Sequence, residues 1–220
     1  MTTDNADLSP APEPADLSWL DHPNAPKLLA ELSQVELVHT AADVVGRARV
    51  AKDDAALRIL GVLRTTLLMR NERRALGMVL QAQAEVATHL GSHRLAAGAY
   101  DTLWGVREML EQPFRAHTAR ISHGEALFHA GDVAEGEAVL RAAQQPAREL
   151  ALGGEVHKAA ACMADTLARL GGLLLATDRA EEGELWLEGA RDLAPDPDAL
   201  EAVTSARVRF ISSKPTGRTL

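Results

Sequence analysis

Ala84-Glu85-Val86-Ala87-Thr88-His89-Leu90-Gly91-Ser92 is echoed 40 residues later by Gly124-Glu125-Ala126-Leu127-Phe128-His129-Ala130-Gly131-Asp132. Both stretches carry a small residue, a Glu, two apolar or small residues, a His four positions after the Glu, and then a Gly. A fixed period of this length is the mark of a helical repeat array. In such arrays no unit can bury its apolar face alone, so neighbours stack into a continuous core. The repeat therefore points to an all-α solenoid.

The composition agrees. Apolar residues make up 46% of the chain but aromatics only 3%, so the core must be built from Ala, Leu and Val. Small side chains suit helix on helix, whereas a sheet would draw on β-branched and aromatic residues. Cys162 is the sole cysteine and has no partner for an internal disulfide, which predicts a reducing, cytoplasmic setting. The acidic start has no basic segment followed by an apolar one, and no run of 18 apolar residues occurs, so neither a signal peptide nor a membrane span is expected. A net charge of −8 argues against nucleic acid binding over the whole surface.

Punctuation divides the rest. Residues 1–26 hold five prolines, five acids and neither Lys nor Arg, the composition of a disordered leader. Within it, Trp19-Leu20 is expected to dock on the first hairpin while residues 1–16 stay disordered. From 27 to 211 the apolar spacing is helical almost throughout, with Gly, Pro and capping residues about every 20 positions. The predicted helix pairs are 28–49/53–69, 72–90/93–111, 114–130/132–149 and 155–176/179–193, with within-pair turns near 51, 91, 131 and 178. A capping helix over 198–210 and a polar tail from 212 to 220 follow. The last step is longer because Gln144 to Gly154 either extends a connection or adds a turn or two of helix.

Leu170-Gly171, Leu174, Gly183, Leu187, Ala190 and Pro195 in the fourth pair, and Gly124, Leu127, Gly131-Asp132, Gly136, Leu140 and Ala143 in the third, resemble the tetratricopeptide-repeat family in a long, roughly 40-residue form. Ala84, Ala87, Gly91, Ala96, Tyr100 and Leu103 carry the pattern in the second pair. The resemblance spans about 30–195 and implies antiparallel helix pairs with an inner, concave face lined by each first helix. Arg120 and His123 stand where that family places apolar residues.

The most site-like residues are Glu85/His89 and Glu125/His129, each pair spaced i, i+4 and so sharing a helix face. Gln81, Ile121 and Thr118 extend the same stripe. By the resemblance, Gln81, Glu85, His89, Thr118, Glu125 and His129 line the concave surface and contact a partner, as a clamp for a peptide backbone or carboxylate. Two Glu and two His could also hold a metal, or be solvated pairs left by duplication. The carboxylates are expected to be exposed and to contribute little to stability. No catalytic motif, P-loop, dinucleotide turn, metal motif or cofactor signature occurs, so no enzyme, cofactor or metal is predicted.

Charge is polarised. Residues 47–74 hold eight basic side chains against three acids, and residues 181–201 hold eight acids against Arg191. In a linear array this separates into two ends, which would allow head-to-tail association of copies. The combined expectation is a non-enzymatic interaction protein of adaptor or chaperone type that binds a peptide segment. Two alternatives stay open: a ligand- or peptide-sensing module, and a nucleic-acid-associated protein using the 47–74 face.

Overall fold

The computed structural model describes residues 18–212. The disorder expected for residues 1–16, and the tail beyond 212, lie outside the described residues. A short 3-10 turn at Ser18–Asp21 leads into α1 (Ala25–Glu31), α2 (Gln34–Ala51), α3 (Asp54–Met69), α4 (Arg73–His89), α5 (His93–Met109), α6 (Pro113–His129), α7 (Val133–Ala142), α8 (Gln144–Leu152), α9 (Val156–Ala176), α10 (Ala180–Leu193) and α11 (Pro197–Ser212). No strand occurs among the described residues, and consecutive helices pack on one another in order, as the all-α expectation requires.

The turns explain the period. A residue in the left-handed region ends a helix at Lys52, Asn71, Gly91, Glu111, Gly131, Gly154 and Asp178, with φ between 47° and 91°. The predicted within-pair turns near 51, 91, 131 and 178 coincide with four of these. At five of the turns the following amide reaches back five residues: Glu72 to Leu67, Ser92 to Ala87, Gln112 to Arg107, Asp132 to Leu127 and Arg179 to Leu174, at 2.8–3.0 Å. These bonds satisfy carbonyls that the last helical turn would otherwise leave without a partner. Only three of the seven positions are Gly. At Asn71, Glu111 and Asp178 the closing hydrogen bonds offset a backbone cost of about 1 kcal/mol.

Two helices differ from the expected spans. The segment expected as one helix over 28–49 is broken at Leu32-Ser33, because Ser33 starts a new helix with a reciprocal cap. The Glu36 amide donates to Ser33 Oγ (3.3 Å) and the Ser33 amide to Glu36 Oε2 (2.8 Å). The second helix of the third pair bends at Ala143 into α7 and α8. Pro146 causes this, since it has no N–H for the Ala142 carbonyl and its ring crowds that oxygen. The stretch after Gln144 is thus added helix, one of the two outcomes foreseen.

Packing is close where glycines allow it. A Cβ on Gly136 would lie 2.7 Å from the Gly124 carbonyl oxygen, and one on Gly171 would lie 2.8 Å from that of Gly183. In both hairpins the glycines are 12 residues apart and backbone touches backbone. At Gly172 it is a side chain that comes close, the Phe210 ring of α11 lying 2.8 Å from where a Cβ would sit. Leu20 is buried against α1–α3 with Trp19 half-buried beside it, so the docked core begins inside the stretch whose composition marks a leader. By length and composition α9 could cross a membrane, but 61% of its apolar window is buried inside the fold, where it packs on α6, α8, α10 and α11. Successive first helices also pack, α2 on α4, α6 on α9 and α9 on α11; α4 and α6 make at most marginal contact.

Candidate functional site

The space where α4 and α6 part is filled by polar side chains. On α4, Gln81 Nε2 donates to Glu85 Oε1 (2.8 Å), and Glu85 Oε2 accepts from Arg49 Nε of α2 (2.9 Å). This carboxylate is half-buried. Glu125 on α6 is far more enclosed, with its side chain 14% exposed. It is ion-paired to Arg169 of α9 and accepts from Arg209 Nε of α11 at 3.0 Å. The expectation of two exposed, dispensable carboxylates therefore fails at Glu125.

Tyr100 of α5 joins the two halves. Burial raises its phenol pKa, and the carboxylates of Glu85 and Glu125 both add to the rise while Arg169 opposes it. Thr88 of α4 is its hydroxyl neighbour. Both repeated Glu positions, from successive units, thus act electrostatically on one tyrosine.

The other predicted residues separate. His129 is enclosed, stacked on Phe210 (5.6 Å between centroids) and near His93 (5.2 Å), with its Nε2 3.8 Å from Glu125. That distance is beyond hydrogen-bond reach but allows an ion pair when the ring is protonated. His89 is exposed at the last position of α4 and does not line the cavity. Thr118 is exposed, its hydroxyl donating to the Phe114 carbonyl of its own helix (3.1 Å). Among the described residues no group of three or more His, Cys, Asp and Glu is placed to hold a metal ion.

Arg169, Asp165 and Arg209 escaped the sequence reading. Burial works against the charge of Arg169, but Asp165 and Glu125 more than offset it and its pKa lies above the ordinary arginine value. Asp165 accepts from Arg169 Nε (3.0 Å) and Nη2 (3.3 Å). For Glu125, burial alone would raise the pKa; Arg169 above all, then His129 and Arg209, bring it down to about 2. Burial, and then the neighbouring His129, lowers the pKa of His93. A faint signal was available, since Arg209 follows Arg169 by the repeat length of 40.

Of these groups, Thr88, His93, Tyr100, Glu125, His129, Arg169 and Arg209 line a cavity of about 210 Å³ together with Ser122 and Ala126. The carboxylates and guanidiniums largely satisfy one another. What the cavity offers a ligand is hydroxyls and imidazole edges, the equipment for hydrogen bonding to neutral polar groups. Both charged ends of the array also spend charge internally. Arg49 and Arg70 bond to Glu85 and the Leu32 carbonyl, and Glu182 is held by Arg141 and Arg179.

The chain matches no protein-family model, no curated protein and no solved structure.

Proposed function

We propose that this chain is a non-enzymatic, tetratricopeptide-like adaptor, acting in the cytoplasm, that binds a segment of a protein partner across its first helices. One observation carries the reading: the cavity between α4 and α6, lined by Tyr100 of one helix pair and Glu125 of the next. Hydroxyls of Tyr100 and Ser122 and the ring of His93 line it. They suit the N–H and C=O groups of an extended peptide backbone. A clamp for a partner's carboxylate is less well supported, because Arg169 and Arg209 are already bonded to Glu125.

The test is photo-crosslinking from a probe placed at Ser122, with the captured segment mapped by mass spectrometry. Binding of that segment as a synthetic peptide is then compared between the wild type and Tyr100→Phe. The expected result is capture of one contiguous segment and a drop in its affinity of about tenfold, the worth of one buried hydrogen bond in a binding site. Equal affinity in Tyr100→Phe, or a segment that crosslinks equally from the 47–74 face, would overturn the reading.

A further inference from the structure

A second cavity, of about 480 Å³, lies between the end of α5, the start of α6 and α8. It is separate from the site above and does not depend on it. Its size falls within the range of small-ligand sites. The bend at Pro146 creates it by carrying α8 past the start of α6, and Pro146 itself lines the wall.

The floor is formed by His117 and Arg120, spaced i, i+3 on α6 and so on neighbouring faces of it. His117 is 3% exposed. Its Nε2 lies 2.9 Å from Thr166 Oγ1 and 3.3 Å from the Cys162 carbonyl oxygen. The Thr166 hydroxyl donates its own proton to that same carbonyl (2.8 Å). Both neighbours of Nε2 are therefore acceptors, so Nε2 carries the proton and Nδ1 presents a lone pair. Burial keeps the ring neutral by lowering its pKa. Nδ1 is buried and has no hydrogen-bond partner in the protein.

Arg120 is the complement. Its guanidinium carbon sits 4.5 Å from the ring centroid of Trp104. Its Nε is buried without an acceptor, and no carboxylate of the described residues pairs with it. The floor thus holds an acceptor in need of a donor beside a donor in need of an acceptor. At the mouth stand three carboxylates, Glu108, Glu111 and Glu149, which favour a cation. Glu108 also accepts from Trp104 Nε1 (2.7 Å), which fixes the indole as a wall.

One chemistry meets all three demands. An ammonium group donates to His117 and brings positive charge to the glutamates, and an adjacent oxygen accepts from Arg120. We propose that this cavity receives a molecule carrying an α-ammonium group beside a carbonyl oxygen, supplied either by a free amino acid or by the amino terminus of a peptide. An apolar side chain next to that group lies against Trp104 and Pro146.

The experiment uses the full chain with ¹⁵N-labelled histidine and follows the Nδ1 resonance of His117 by NMR. The probes are leucine, the tripeptide Leu-Ala-Ala and its N-acetylated form. The expected result is a saturable shift of the Nδ1 signal toward hydrogen-bonded values, with acetylation weakening binding about tenfold or more. Response to leucine and tripeptide alike identifies a free amino acid as sufficient; response to the tripeptide alone identifies a peptide terminus. Arg120→Met should weaken each binding probe by a similar factor, checked against an unchanged helical CD spectrum. The proposal is overturned if the acetylated tripeptide binds as well as the free one. It is equally overturned if no probe moves the Nδ1 signal at concentrations up to about 10 mM.

Discussion

Replacing Glu125 by Gln keeps the shape of the side chain and removes its charge. The neutral amide leaves the enclosed Arg169 with Asp165 as its remaining carboxylate, and takes the anion away from Arg209. Holding the Glu125 carboxyl at about 2 against an ordinary 4.5 corresponds to about 3 kcal/mol in favour of the charged, folded state. Loss of one partner from a buried ion pair has a similar scale, about 3–5 kcal/mol, and Asp165 places this case at the lower end. A loss of about 3 kcal/mol is a large share of the roughly 5–15 kcal/mol that stabilises a typical domain. The assay is urea unfolding followed by far-UV circular dichroism. Because the folded-state pKa is depressed, the contribution is complete above the ordinary carboxylate pKa and is lost as pH falls toward about 2. The gap between wild type and Glu125→Gln should therefore be widest near neutrality and close over that acidic window. A gap under about 1 kcal/mol near neutral pH, or one that stays constant as the solution is acidified, would refute the argument.

Glu85→Gln should cost at most about 1 kcal/mol in the same assay, because its pair with Arg49 is solvated; a loss equal to that at Glu125 would show the two repeats to be equivalent after all. Leu20→Ala should destabilise by about 2–3 kcal/mol, since that side chain is buried against α1–α3, and an unchanged urea midpoint would mean the 3-10 turn does not dock. Gly136→Ala should lower the melting temperature although Ala is the better helix former by about 1 kcal/mol, because the added carbon would meet the Gly124 carbonyl; a stabilised variant would disprove the close approach. Burial pushes the Cys162 thiol up to about 11, so alkylation near neutral pH should be slow in the native protein and fast in denaturant, and equal rates would contradict it.

The array and most of its joints were legible because helix ends are local events. Gly91, Gly131 and the prolines mark them whatever the rest of the chain does. The left-handed conformations of Lys52 and Glu111 were not legible, since neither residue type favours that region, whereas Asn71 and Asp178 belong to the types that enter it most readily after Gly. In the site, Glu125 and His129 could be found from the repeat, but their surroundings could not. Arg169 and Arg209 lie 44 and 84 residues from Glu125, and their own 40-residue spacing does not point to that glutamate. Thr118 has the right rotational phase on α6 but stands two turns, about 10 Å, from Glu125 along the axis. His89 fails similarly, since the end of α4 carries it out to solvent.

The bend at Pro146 has a consequence for chain direction. Between Gly131 and Gly154 the backbone stays helical through the junction, Ala143 having φ −71° and ψ −16°, so α7 and α8 together make one crossing of the molecule and not two. The number of reversals between α6 and α9 stays even. Helix α9 then travels with the same polarity as α6 despite the extra residues, and Arg169 arrives beside Glu125 on the matching face. A tight turn at Ala143 would have inverted every helix after it. Lengthening by a kink preserves the alternation of up and down strokes on which the alignment of distant repeats depends.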